Sequence, residues 1–467
     1  MMREPPFTLL SSAKPFALRG KSVLVLGLGD TGLSVARWVE REGGRVRVAD
    51  TRSVPPRLKD FSGEFHRGSF KPSLLEGVDL LCLSPGLSLE EKIFDGARAK
   101  NIPVVGDIEL FAWHVRSKSE AKVIAITGTN GKTTVTALTG HLLRSAGVDC
   151  EVAGNIGPAA LTALLQRTQA GKPPAVWVLE LSSYQLETTW SLEPDVATIL
   201  NLSEDHLDRY SGLAEYGAAK ARVLMGSGMQ VLNRDDLPAM ALAAPGRKIV
   251  SFGLDAPAND DDFGVVEGER LAKGRRNFFD KSDLPIHGSH NVANALAACA
   301  LAHATGVPLD KLSAGLCSFK GLPHRLELVA TRAGVDWYDD SKGTNVGATV
   351  AALKGLGKKA VLIAGGEGKG QDFSPLRQPV EEFASRVLLI GRDAPLIEKA
   401  LSGLPVERCK SLESAVSRAA GAARPGEAVL LSPACASFDM FRDYKHRGEV
   451  FAAAVKALDA AVKGRTS

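Results

Sequence analysis

Eight residues, TGTNGKTT at Thr127–Thr134, constrain the fold of this chain more than any other stretch. They follow an apolar run, Val123–Ile126, and lead into a stretch of helical character that begins near Thr134. Strand, glycine turn and helix in that order make a phosphate loop. Glycines let backbone N–H groups turn inward on phosphate oxygens, a lysine adds a point charge, and the next hydroxyl reaches a magnesium ion. Here Gly128 and Gly131 supply the turn, Lys132 the charge and Thr133 the hydroxyl, with Thr129, Asn130 and Thr134 completing an ATP-binding cradle. The position five before Gly131 is Ile126, so the loop is tighter than the usual G-x-x-x-x-G-K-[ST] pattern.

Such a loop needs a parallel sheet, and the remaining pattern supplies three. The first block has strands at Val23–Leu26, RVRVAD ending at Asp50, Leu80–Leu83 and around Val104, with a helix expected over Leu33–Glu42. The second opens at the phosphate loop and continues with AVWVLE (Ala175–Glu180), VATILN (Val196–Asn201) and a helical stretch, Asn291–Ala304. The third carries VDWYDD, AVLIAGGEG, RVLLIGRD and AVLLSPACAS. The fold class is therefore α/β in three domains. Residues 1–110 form a Rossmann-like unit, 111–321 a central ATPase-type parallel sheet, and 322–467 a second Rossmann-like unit. A length of 467 residues accommodates them, at roughly 100–200 residues per domain. The acidic stretch Asn259–Gly268 and the basic Lys273–Arg276 read as a solvated hairpin or loop.

Composition removes several function classes. A net charge of +4, with 45% hydrophobic residues, fits neither intrinsic disorder nor a polyanion-binding surface, so no nucleic acid is expected. Six scattered cysteines never form a C-x-x-C pair, which speaks against a zinc cluster or disulfide framework. The opening MMREPPFTLLSSAKPFALRG has no unbroken apolar core, and no run of about 18 apolar residues occurs. A cytoplasmic protein without a membrane span is expected.

Ligands of open parallel sheets sit beyond the carboxyl ends of the strands, where the chain puts its ionisable residues. Glu180 ends one strand, and SEDHLDRY, with His206, follows another, so Thr133, Glu180 and His206 can converge on a metal-nucleotide site. By residue type alone Glu180 also reads as an exposed strand-end acid and His206 as a capping or packing histidine. GLGDTG, Gly27–Gly32, fits G-x-G-x-x-G, and Asp50 ends the next strand, where a dinucleotide fold keeps its ribose-binding acid. An NAD-dependent dehydrogenase is thus a rival reading, although it leaves the phosphate loop unexplained. A nucleotide-binding module without catalysis is another.

Eight motifs in order resemble the Mur ligases, the ATP-dependent amide-forming enzymes of peptidoglycan precursor synthesis. They are GTNGKTT, GNIG (Gly154–Gly157), LELSSYQLE (Leu179–Glu187), DHLDRY (Asp205–Tyr210), HNVANALAA (His290–Ala298), LPHRLE (Leu322–Glu327), DDSKGTN (Asp339–Asn345) and SPACASFDMF (Ser432–Phe441). Within that family, GLGDTG with Asp50-Thr51-Arg52, and the ending SPACASFDMFRDYKHRG, are most similar to the member that adds D-glutamate to UDP-N-acetylmuramoyl-L-alanine. Siblings taking another amino acid, and folylpolyglutamate synthase, are the nearest alternatives.

The resemblance implies small-molecule substrates, a monomer, and attack of the amine on an acyl phosphate. It implies that Lys132 neutralises ATP phosphates, that Thr133 and Glu180 hold one Mg²⁺, and that His206 and a CO₂-carbamylated Lys220 hold a second. Read without it, Lys220 in EYGAAKARVL is a surface helix lysine. Asn294, Arg325 and Asp340 are implied at adenine, phosphate and ribose. Asp30, Thr31, Asp50, Thr51, Arg52, Gly86 and Asn155 are implied at the UDP-sugar. Lys342, Thr344, Lys369, Ser437, Phe438 and Tyr444 are implied around D-glutamate, whose carboxylates call for cations and hydroxyls. Glu367 stands where an Asp is common, and Tyr444 where a Phe is.

Overall fold

The structure is a computed structural model that describes residues 16–463. The reading of the N-terminal segment falls, for residues 1–15, outside the described residues. Among the described residues three sheets are present; each expected apolar run is one of their strands, and further strands that were not expected join them.

The first sheet comprises β1 (Ser22–Leu26), β2 (Arg45–Asp50), β3 (Glu64–Arg67), β4 (Leu80–Leu83) and β5 (Val104–Val105), all parallel in the order β3-β2-β1-β4-β5. SVLVL becomes a central strand because both its faces are covered. Val23 and Val25 enter one core, and Leu24 and Leu26 the other. Strand order reverses at β1, which leaves a crevice beyond the tips of β1 and β4. The following helix is Asp30–Arg41, three residues earlier than the expected Leu33. Its first turn is polar, and Asp30 there suits the positive end of the helix, so hydrophobic pattern alone misses the start. A Cβ on Gly32 would lie 1.9 Å from the Gly27 carbonyl oxygen, so helix and strand approach this closely only through glycine.

The second sheet comprises β6 (Lys122–Thr127), β7 (Cys150–Gly154), β8 (Val176–Glu180), β9 (Val196–Ile199), β10 (Met229–Asn233), β11 (Ile249–Phe252), β12 (Phe263–Val266), β13 (Arg270–Lys273) and β14 (Arg276–Asp280). Their order is β14-β13-β12-β11-β10-β9-β6-β8-β7. β7 to β12 pair in parallel, whereas β12 and β13 form an antiparallel hairpin. The stretch read as a solvated hairpin or loop is thus a hairpin that extends the sheet. The third sheet comprises β15 (Glu327–Arg332), β16 (Val335–Asp339), β17 (Ala360–Gly365), β18 (Ala384–Ile390), β19 (Val406–Arg408) and β20 (Ala428–Leu431), ordered β15-β16-β20-β17-β18-β19. Only β15 runs antiparallel to its neighbour.

The chain falls into two compact units. One holds residues through Leu202, Ala214–Phe278 and Leu296–Gly315; the other holds Ser203–Leu213, Phe279–Ala295 and the residues from Leu316 on. In the first unit a single apolar core runs from the first sheet into the second. It joins Val23, Val25 and Trp38 to Ile108 and Phe111 of the helix Asp107–Lys118, and on to Val123, Trp177 and Leu179. Phe111 meets Trp177 edge-on, ring centroids 5.1 Å apart. The buried carboxylate of Glu109 accepts from Trp113 Nε1 (2.8 Å), the Trp190 and Ser191 N–H groups (2.6 and 3.0 Å) and the Ser191 hydroxyl (2.7 Å). All of its acceptor capacity is used, which is what lets a carboxylate sit there.

Trp177→Ala would empty the middle of this shared core and should cost about 3–5 kcal/mol. Thermal denaturation followed by circular dichroism is expected to show a lower midpoint for the first unit. An unchanged curve would mean that the two sheets do not share a core.

Candidate functional site

The phosphate loop leaves β6 between two backbones. Leu200 stands so close that a Cβ on Gly128 would lie 3.0 Å from its side chain, and Gly128 itself has φ of 152°. Gly131, at φ 81°, caps the 14-residue helix Lys132–Ser145, whose N-terminus faces the loop. Asn201, just past the tip of β9, holds the turn. Its Oδ1 accepts from the Asn130 N–H (2.8 Å), its Nδ2 donates to the Asn130 carbonyl (3.1 Å), and its own carbonyl accepts from the Thr129 N–H (3.0 Å). The sequence reading passed over Asn201; a polar residue ending an apolar strand beside a phosphate loop was the available signal.

Two lysines reach this loop. Lys132 Nζ donates to the carbonyls of Gly128 (2.8 Å) and Thr129 (2.7 Å), and Lys220 Nζ donates to the same Gly128 oxygen at 2.8 Å. Lys220 is 1% exposed and lies over the Tyr216 ring at 4.4 Å. The reading of Lys220 as a surface lysine is therefore corrected: the helix Leu213–Ala221 turns it inward. Glu180 is 1% exposed, which likewise rules out an exposed strand-end acid. Its Oε1 accepts from Asn155 Nδ2 at 2.7 Å, and its Oε2 has no hydrogen-bond partner. A buried carboxylate oxygen without a donor, on the strand beside the loop, suits a hard cation, and Thr133 at the second helical position adds a hydroxyl. Gly154 allows the approach of Asn155, since a Cβ there would lie 2.3 Å from the Glu180 carbonyl oxygen.

A cavity of about 790 Å³ opens beyond β1 and β4. All seven residues expected at a UDP-sugar line it, Asp30, Thr31, Asp50, Thr51, Arg52, Gly86 and Asn155, together with Arg37, Arg57, Ser84 and Gln185, which the sequence reading did not single out. Asp50 accepts from the Leu28 N–H (2.7 Å), the Arg52 N–H (2.9 Å), Arg52 Nε (2.9 Å) and Arg52 Nη2 (2.7 Å). Burial pushes its carboxyl up, but Arg52 and the two N–H groups outweigh that and hold it below the usual carboxylate range. Four donors from the protein fill the acceptor sites that a dinucleotide ribose would need, against the dehydrogenase reading.

The second unit holds the other candidates. His206 has φ of 56°; its N–H donates to Asp205 Oδ1 (2.9 Å), and Asp205 Oδ2 accepts from Asn345 Nδ2 (3.2 Å). Asn294 Nδ2 donates to Asn291 Oδ1 at 3.1 Å. Next to them the His290 ring packs against Gly288 and Gly355, and burial pushes it down to about 4. Asp340 Oδ2 accepts from the Ser432 hydroxyl at 2.7 Å. Desolvation pushes this carboxyl up to about 7, although the residue keeps some surface, and Ser432 and Arg325 pull it only part of the way back.

Lys342 Nζ lies 4.1 Å from the Tyr444 ring centroid, and Lys369 Nζ 6.0 Å from that of the exposed Phe438. Ser437 is buried, and the Thr344 N–H donates to the Lys342 carbonyl at 2.8 Å. Glu367 meets Arg392 at 3.0 Å.

Two further residues organise this unit. His324 pairs with Asp339 at 2.7 Å, which raises the imidazole above its usual range, and Glu327 completes a group whose ligand atoms lie within 4.8 Å of one another. Arg447, fully buried, donates to Ser341 Oγ (3.0 Å), the Ser341 carbonyl (2.8 Å) and the Cys435 carbonyl (3.1 Å), and so ties the DDSKGTN and SPACAS segments to the last helix. The available signal was its spacing, four and eight residues before Phe451 and Val455, which puts it on the buried face of that helix.

Three family models match the chain: Mur ligase MurD-like, N-terminal domain over residues 21–106; Mur ligase middle domain over 126–302; and Mur ligase, glutamate ligase domain over 324–435. The UDP-N-acetylmuramoylalanine--D-glutamate ligase of Nitrosospira multiformis is 53% identical, over 96% of this chain and 98% of that protein. Its namesake from Nitrosomonas europaea is 50% identical, over 94% and 97%. Among solved structures, MurF from Acinetobacter baumannii aligns with a TM-score of 0.62 at 20% identity, covering 94% of this chain and 91% of that one. UDP-N-acetylmuramate-alanine ligase MurC from Thermotoga maritima gives 0.60 at 18%, covering 93% and 99%. These structures share the three-domain fold.

A carboxyl raised on folding contributes stability that is complete below the unfolded value, about 4, and lost as pH rises through the folded one. Between pH 4 and about 7, wild type should therefore lose stability relative to Asp340→Asn. Melting temperatures of both proteins across that range check this; a pH-independent difference refutes it.

Proposed function

The chain belongs to the Mur ligase family, and we propose that it is the ligase that joins D-glutamate to UDP-N-acetylmuramoyl-L-alanine, with ATP converted to ADP and phosphate, in peptidoglycan precursor synthesis. The observation that carries this is the 53% identity to a relative of that name across almost the whole length of both chains. Mur ligases use ATP with Mg²⁺. A carboxylate is a poor electrophile, and bound MgATP supplies the phosphoryl group that makes one of its oxygens a leaving group, so the amine can attack an acyl phosphate. No covalent nucleophile from the protein is required.

The protein's part is to position and to neutralise charge. With the Thr129 and Asn130 N–H groups spent on Asn201, the N–H groups at the N-terminus of the helix Lys132–Ser145 receive phosphate oxygens, and Lys132 offsets their charge. Thr133 and Glu180 would hold the metal, consistent with the unpartnered Glu180 Oε2. His206 and Lys220 would hold a second ion, with Lys220 carbamylated. Two ammonium groups on the Gly128 oxygen repel each other, and turning one into an anion relieves that repulsion while creating a metal ligand. Asn294, Arg325 and Asp340 would contact adenine, phosphate and ribose. The cavity residues Asp30, Thr31, Thr51, Gly86 and Asn155 would hold the UDP-sugar, with Asp50 fixing Arg52. Lys342, Thr344, Lys369, Ser437, Phe438 and Tyr444 would receive D-glutamate.

The domain limits 1–110, 111–321 and 322–467, a monomeric state and a cytoplasmic location complete the reading. Among the described residues no helix is long and apolar enough to cross a membrane, and the six cysteines are free thiols, as a reducing compartment favours.

Phosphate release from ATP with UDP-N-acetylmuramoyl-L-alanine should require D-glutamate and fail with L-glutamate, L-alanine or meso-diaminopimelate. Preference for any of the others refutes the assignment. Lys132→Ala should lower kcat by about 10²-fold or more, while retention of turnover would remove the phosphate loop from the chemistry. Stripping dissolved CO₂ should slow wild type and added bicarbonate should restore it; indifference to both would reject the carbamate.

A further inference from the structure

Gln185 lines the cavity from the second sheet's side, and its amide is held at both ends. Its Oε1 accepts from the Ser182 N–H at 3.2 Å, and its Nε2 donates to Asp107 Oδ2 at 3.3 Å. Asp107 opens the helix that carries the chain out of the first sheet, and it is wholly buried. Its position is set by a close backbone approach. Gly106 donates its N–H to the Thr188 carbonyl, and a Cβ on Gly106 would lie 2.3 Å from Thr188 Oγ1.

A buried carboxyl is a costly acceptor. Asp107 Oδ1 has no hydrogen-bond partner, and burial pushes the group up to about 6, offset only in part by the Gln185 amide and the first N–H groups of its helix. What the carboxyl holds in return is the Gln185 amide.

We propose that Asp107 is a positioning residue for the UDP-sugar substrate: by accepting one N–H of Gln185 it fixes that amide so that its other N–H is presented to an oxygen acceptor of the ligand in the cavity. The inference rests on the function proposed above. With Asp107 in place, the Gln185 side chain has one orientation before the ligand arrives, and binding carries no cost for ordering it. Without it, Nε2 loses its buried partner and the amide can rotate.

Steady-state kinetics with UDP-N-acetylmuramoyl-L-alanine varied, on wild type, Asp107→Ala, Asp107→Asn, Gln185→Ala and the Asp107→Ala/Gln185→Ala double variant, test this. Asp107→Ala should raise KM for the UDP-sugar about tenfold, with kcat and the KM for ATP moved less than twofold. Asp107→Asn, which keeps an acceptor oxygen at the same place, should recover most of the loss. Gln185→Ala should raise the same KM, and the double variant should be no worse than the worse single one. Should Asp107→Ala not fold, the Asn and Gln185 variants carry the test: Asp107→Asn near wild type beside an impaired Gln185→Ala supports the proposal. Equal UDP-sugar KM values across all variants, additive losses, or a parallel fall in kcat overturn it. Wild type that does not turn over this UDP-sugar overturns the assigned function, and this inference with it.

Discussion

One carbonyl oxygen, that of Gly128, receives two ammonium groups, and the arrangement of the first unit follows from what that requires. Two like charges in a largely buried place are tolerable only where strong acceptors, and ultimately an anion, are held nearby. The backbone there must be fixed, and it is: β6 pairs with β8 on one side and β9 on the other, and Asn201 closes the turn with three hydrogen bonds. Glu180 then stands on the adjacent strand with one oxygen unspent. Lysines, helix N-terminus and carboxylate together make a polarised cleft, and under the function proposed above its occupant is a magnesium-bound triphosphate rather than a bare phosphate.

Much of this was legible in the chain because parallel strands announce their tips. An apolar run that stops at Thr127, Glu180 or Asn201 marks the edge where ligands bind, and the motif glycines mark where backbone must come close. The seven residues assigned to the UDP-sugar all line one cavity for that reason. Lys220 was misread because burial of a cation depends on partners distant in sequence, here the Gly128 carbonyl and the Tyr216 ring. Arg447 and Glu109 escaped notice on the same ground. Each is a charged residue whose type alone suggests the surface, and each is enclosed by donors or acceptors that only the folded chain brings together. The helix start at Asp30 was missed for a local reason, since an amphipathic pattern is silent about a polar first turn.

The helix Asp107–Lys118 does more than connect two sheets. Phe111 contributes to their common core, Glu109 clamps the 190–191 segment, and Arg222 approaches that segment from the other side, stacked 3.5 Å from the Trp190 ring and donating to the Leu186 and Thr189 carbonyls. Burial pushes this guanidinium down to about 10, still charged at neutral pH. The short turn Ser183–Leu186, which bears Gln185, is thus gripped from both flanks.

Asn155 has a double attachment: its side chain bonds Glu180, and it also forms part of the cavity wall. This wall of the cavity is therefore one residue away from the Glu180 carboxylate, inside a body joined by a continuous core. Such a body works as a gauge. Under the function proposed above, a ligand seated by its nucleotide end would present its far end at a set depth, so chain length itself would become a criterion of selection: too short and the terminal carboxylate stops before the triphosphate, too long and it overshoots.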